Sequence, residues 1–123
     1  MVKIVVFPGR SFVITVLSLG QCAFDHSKIQ KAFEHLAEIV PVVDTKGAIA
    51  FLGEKKFDLV LVNREFDEDG GSGIEFIQDH LPSLKAKGIP VMLVSNYPEA
   101  QFRAVELGAL PGFGKAEMSP FKM

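Results

Sequence analysis

Two apolar runs open the chain. Residues 2–7, VKIVVF, are short and β-branched, and residues 12–19, FVITVLSL, form a second run of strand length; Pro8-Gly9 between them marks a turn. The period then changes. Across 25–39, DHSKIQKAFEHLAEI, the residues Ile29, Phe33, Leu36 and Ala37 fall on one helical face, with Asp25 or Ser27 as the cap. Residues 39–44, IVPVVD, return to strand character, and Pro41, which lacks an N–H, places that strand at or near a sheet edge. In 45–57, TKGAIAFLGEKKF, helical spacing resumes at Ile49, Leu52 and Phe57, weakened by Gly53.

The run LVLV within 58–63 has no polar alternation, which means burial on both faces and so a central parallel strand. Residues 73–87 put Ile74, Ile77 and Leu81 on one face, with Pro82 expected to bend or end that helix. Residues 89–96, IPVMLVSN, read as another strand buried on both faces, 98–108 as a short helix stopped by Gly108, and 110–115, LPGFGK, as a brief last strand. Alternating strands and helices predict a doubly wound α/β fold with parallel strands, whose ligands sit at the carboxyl ends of the strands. Asn63, Ser95 and Lys115 all fall at such ends.

The 123 residues are one domain's worth, and 48% hydrophobic with 23% charged residues suits a soluble globular chain. The net charge is −2 and the densest basic spots are Lys55-Lys56 and Lys85-x-Lys87, so no basic stripe points to nucleic acid. A single cysteine excludes an internal disulfide and a cysteine-based zinc site. His26, His35 and His80 are too far apart in sequence for a metal triad to be expected. Lys3 and Arg10 ahead of SFVITVLSLGQCAF loosely resemble a secretion signal, but Gln21 is too large for the residue before a lipoprotein cysteine, and the run reads as a core strand. No cofactor, metal or membrane role is expected, and the location expected is cytoplasmic.

Three segments together, GEKKFDLVLVN, GIPVMLVSN and AVELGALPGFGK, carry a resemblance to the response-regulator receiver domain over roughly residues 12 to 118. The resemblance implies a flavodoxin-like sheet of five parallel strands, here a receiver-like domain over 12–123 with residues 1–11 as an extension carrying an extra strand. That strand would cover part of an exposed face or add to a sheet edge. In that family an aspartate after the third strand accepts a phosphoryl group, an acidic pair after the first strand holds Mg²⁺, and a Ser or Thr and a Lys follow the fourth and fifth strands. This chain departs from the pattern. Asn63 stands at the acceptor position and is far less nucleophilic than a carboxylate. The acidic pair falls near Gln21 and Cys22, neither of which offers an anionic oxygen to a hard cation. Ser95, Lys115 and the aromatic Phe113 remain, and Asn63 can accept a hydrogen bond from Lys115.

The stretch from Asn63 to Gly73 is about two residues longer than the family spacing; its DEDGGSG lacks calcium-loop spacing and reads as a solvated, glycine-flexible loop. The tail AEMSPFKM is too short for the family's last amphipathic helix, which leaves Met118, Phe121 and Met123 for a partner surface or for the domain itself. The expectation is a non-enzymatic, non-phosphorylatable bacterial receiver-like domain of a two-component or phosphorelay pathway. It would work by protein–protein contact through Tyr97, Gln101, Phe102, Arg103 and Phe113, with a signalling protein or a second copy as partner. The alternative is a small-anion or small-molecule binding module using the vacated pocket of Gln21, Cys22, Asn63, Ser95 and Lys115.

Overall fold

The computed structural model describes residues 5–7, 10–12, 14–33 and 36–115, the first two segments by their backbone alone. Strands β1 (Val5–Phe7) and β2 (Arg10–Phe12) pair antiparallel, Val5 opposite Phe12 and Phe7 opposite Arg10, and form a two-stranded sheet of their own. This corrects two expectations. The run 12–19 is not one strand, because Phe12 is spent in the hairpin and the next strand, β3, is Ile14–Leu19. Nor does the extra strand add to an edge of the main sheet. The expected turn at Pro8-Gly9 lies outside the described residues.

Beyond β3 come α1 (Ala23–Ala32), β4 (Ala37–Val42), α2 (Thr45–Glu54), β5 (Leu59–Asn63), α3 (Gly73–Ala86), β6 (Val91–Val94), α4 (Pro98–Leu107) and β7 (Leu110–Phe113). The five strands from β3 onward form one parallel sheet in the order β4-β3-β5-β6-β7. Every residue of β5 is buried, as its unbroken apolar run predicts. Leu59 and Leu61 join the cluster with Ile29 of α1, while Val60 and Val62 join the larger cluster with side chains of α2, α3 and α4. Each such side chain contributes about 1.5–3 kcal/mol by leaving water, so this register is strongly fixed.

The helix ends differ from expectation. α1 stops at Ala32, capped by Phe33, and Ala37 and Ile39 belong to β4 instead. Ile39 sits beside Val16 in the ladder and is buried there, so sheet burial overrides the helical spacing that runs on in sequence. Its cap is Cys22, not Asp25 or Ser27. In α2 the buried residues are Ala48 and Leu52, while Ile49 is exposed and Phe57 packs from beyond the helix end. Pro82 does not end α3, which continues to Ala86, because Leu81 and Leu84 on either side of it are held in the core. β4 is an edge strand, as Pro41 requires, and the exposed Lys55–Glu38 pair (3.3 Å) lies beside it. Among the described residues no helix is long and apolar enough to cross a membrane. Met118, Phe121, Met123 and the short tail lie outside the described residues.

Candidate functional site

Parallel strands bring their carboxyl ends to one side of the sheet, and the chain changes direction there at Gly20, Asn63 and Ser95. Asn63 is the last residue of β5 and is 5% exposed. Its Nδ2 donates to the carbonyl of Gly20 at 3.0 Å and to that of Glu65 at 2.7 Å. Both partners are acceptors only, so the amide nitrogen is fixed on this side by chemistry. The carbonyl of Gly20 also accepts from the backbone N–H of Asp67 at 3.0 Å.

The acidic segment after Asn63 faces solvent, as expected, and is held in a hydrogen-bonded turn. Glu65 bridges to Ser72 in antiparallel fashion, Phe66 N–H donates to Gly71 O at 2.8 Å, and Gly70 N–H donates to Phe66 O at 2.9 Å. Asp69 Oδ1 accepts from Gly71 N–H at 2.8 Å, and Ser72 Oγ caps α3 by accepting from Glu75 N–H at 3.1 Å. The residues added to the family spacing therefore close a turn on themselves. Phe66 anchors it, 2% exposed in the main core cluster, while Glu65, Asp67, Glu68 and Asp69 face solvent.

Lys115 does not reach Asn63 as expected. Its Nζ pairs with Asp25 Oδ2 at 2.8 Å, and the Asp25 side chain is only 8% exposed. The reason is the stripe of α1: Asp25 lies one turn before Ile29, which is fully buried, so both point at the sheet. Asp25 is the site residue that sequence reading missed; a carboxylate at i−4 from a core isoleucine was the available signal, and capping was the wrong role for it. Cys22 Sγ is instead the acceptor for Asp25 N–H, at 3.4 Å.

Ser95, 4% exposed, spends its hydroxyl on Tyr97 N–H at 3.1 Å and so shapes the entry to α4. Around these groups lies a cleft of about 550 Å³ lined in part by Cys22, Asn63, Arg64, Ser95 and Lys115. The Arg64 guanidinium lies 4.5 Å from the ring centre of Tyr97, a cation–π contact at the border with a second cleft that extends to Arg103. Gln21 does not line the cleft; its amide is buried without a protein hydrogen-bond partner. The sequence thus brings Cys22, Asn63, Ser95 and Lys115 together and leaves Gln21 aside.

Of the expected contact surface, Tyr97 and Phe102 are exposed (53% and 67%), and Arg103 is exposed with a loose Glu106 partner at 3.7 Å. Gln101 turns inward: its amide donates to carbonyls of Leu93, Ser95 and Phe113 and accepts from Gly112 N–H. Phe113 is half-buried against the α1-side cluster. These two are supports of the surface, not parts of its outer face. Among the described residues no three His, Cys, Asp or Glu side chains converge to hold a metal, and His35 lies outside them.

No family model matches this chain, and no curated protein matches it in sequence. Solved structures do match in shape. A candidate response regulator of Chloroflexus aurantiacus superposes with a TM-score of 0.77 at 13% identity, over 90% of this chain and 91% of that one. NtrX of Brucella abortus gives 0.71 at 15% identity over 85% of this chain, which spans only 24% of NtrX. The Mn(2+)-bound response regulator Rcp1 gives 0.64 at 18% identity, over 82% of this chain and 78% of that one. The five-stranded parallel sheet with helices on both faces is the fold of the response-regulator receiver domain.

Proposed function

We propose that this chain is a non-phosphorylatable receiver-like signalling domain, comprising residues 12–123 with 1–11 as an extension, that works by binding another protein. The observation that carries this reading is Asn63. A side chain at the end of the central strand with both amide protons directed at carbonyls has neither the charge nor the freedom of a phosphoryl acceptor. Lys115, which would otherwise meet that acceptor, is held by Asp25. Signalling then rests on a surface that does not wait for modification. Tyr97 at the cap of α4, with Phe102 and Arg103 on the helix, forms its outer face, and Val105 on α4 is exposed as well.

The test is an amide NMR titration of the protein with Mg²⁺, then with Mg²⁺ plus beryllofluoride. No saturable shift around Asn63, Ser95 and Lys115 is expected; a saturable one refutes the reading. A second reading, a small-anion module, draws on the cleft of about 550 Å³ that places Arg64 and Lys115 beside Ser95. Inorganic phosphate or sulfate raising the Tm would favour it.

A further inference from the structure

The receiver fold implies a divalent cation in the corner between the ends of β3 and β5, and the residues of this chain do not fit one. Positions 20 to 22 are Gly, Gln and Cys, without a carboxylate; Glu65 and Asp67 line the cleft but face solvent, and among the described residues no three His, Cys, Asp or Glu side chains converge there. The buried carboxylate nearby in the fold, Asp25, is committed to Lys115. The part of the corner against Gly20 is taken up by Phe66, which forms one wall of the cleft. A β-carbon at Gly20 would run into the ring of Phe66, and Gly20 has φ +79°, a conformation that side chains resist.

We infer that this chain has replaced the metal corner of its fold by a hydrophobic plug, Phe66, and that the Asn63 amide is the latch that keeps the plug seated. The inference rests on the non-phosphorylatable reading and adds how that state is fixed. The latch ties three pieces of backbone together. Asn63 Nδ2 bonds the β3–α1 turn at Gly20 and its own following loop at Glu65. Asp67 N–H, next to the plug, reaches the same Gly20 carbonyl. Gly71 packs against the other side of the Phe66 ring, where a β-carbon would also collide.

The consequence is that aspartate at 63 does not recreate the switch. A carboxylate has no proton to donate, so it would face two carbonyl oxygens in a site that is 5% exposed. Of the charged groups lining the same cleft, Lys115 is held by Asp25, Arg64 lies over the Tyr97 ring, and Glu65 and Asp67 add negative charge. Asn63→Asp therefore lowers the Tm at neutral pH. The gap from the parent protein narrows as the pH falls, because burial raises the pKa of the introduced carboxyl and its protonated form regains one donor. A loss of Tm that does not change with pH would contradict this arrangement.

The deciding experiment has two arms. In the parent protein, amide hydrogen exchange at Phe66 and Asp67 should be slower than at exposed Glu68 and Asp69; equal exchange overturns the latch and needs no variant. In the second arm, parent and Asn63→Asp are titrated with Mg²⁺ and beryllofluoride. Neither should give a saturable shift at Gly20, Ser95 or Lys115. A response in Asn63→Asp alone overturns the plug while leaving the parent's reading intact, whereas a response in the parent overturns that reading itself. If Asn63→Asp does not fold, the exchange arm decides.

Discussion

The side-chain amide of Gln101 holds the carbonyls of Leu93, Ser95 and Phe113 at 2.9, 3.1 and 3.3 Å and the N–H of Gly112 at 3.2 Å. It is a bracket between α4 and the ends of β6 and β7. Removing it takes a partner from partly buried backbone groups, of which the Phe113 carbonyl keeps a second one, the Ser95 N–H at 3.0 Å, so Gln101→Ala should cost about 1–3 kcal/mol in urea unfolding. Phe102→Ala, one residue on but 67% exposed, should change stability by no more than about 0.5 kcal/mol. Equal effects at the two positions would refute the bracket. The Asp25–Lys115 pair makes a second residue-scale prediction. Lys115→Ala strands a buried carboxylate, but solvent screens the pair because the lysine side chain is 33% exposed. A loss of about 1–3 kcal/mol is expected, below that of a fully buried pair. Adding Asp25→Asn should recover part of it; a double variant worse than the single would count against the pairing.

Among the elements, the five strands of the main sheet were legible in sequence, whereas the separate strand β2 and the helix ends were not, for a physical reason. LVLV at 59–62 is apolar on both faces, and only a central strand uses such a run. The end of α1 depends on whether Ala37 and Ile39 gain more in a helix or beside β3, and that competition is settled by tertiary burial. Gly73 gives an element-scale test of packing against propensity. Helix propensity alone makes Gly73→Ala stabilising by roughly 1 kcal/mol. A β-carbon there, however, meets the backbone carbonyl of Asn63 and the side chain of Val62, since α3 starts hard against the end of β5. Gly73→Ala should therefore destabilise, by about 1–3 kcal/mol, measured by thermal or urea unfolding; a stabilised variant would show that this approach is looser than described.

At the scale of the whole molecule, three motifs in the right order pointed to the architecture, whereas the chemistry of the site was only half visible. Cys22, Asn63, Ser95 and Lys115 were legible because strand ends collect on one side of a parallel sheet. Asp25 and Phe66 were not, since their roles depend on which way α1 and the acidic segment turn. The phenylalanine between Glu65 and Asp67 was a usable sign, because an apolar residue among carboxylates needs an anchor point. The proposed contact face also makes a prediction at this scale. Arg103→Glu should weaken capture of a partner protein while leaving the urea midpoint unchanged, as its Glu106 contact is exposed and loose. A folded variant with unchanged affinity for that partner would remove α4 from the interface.

Gly20 and Phe66 share one volume, and that has a consequence for descent. Neither position can change freely while the other stays as it is. A relative that carries a side chain at 20 must shrink the residue at 66, and one that keeps an aromatic at 66 must keep glycine at 20. The pair should therefore vary together across any set of related chains and mark, in sequence alone, which of them have closed the corner.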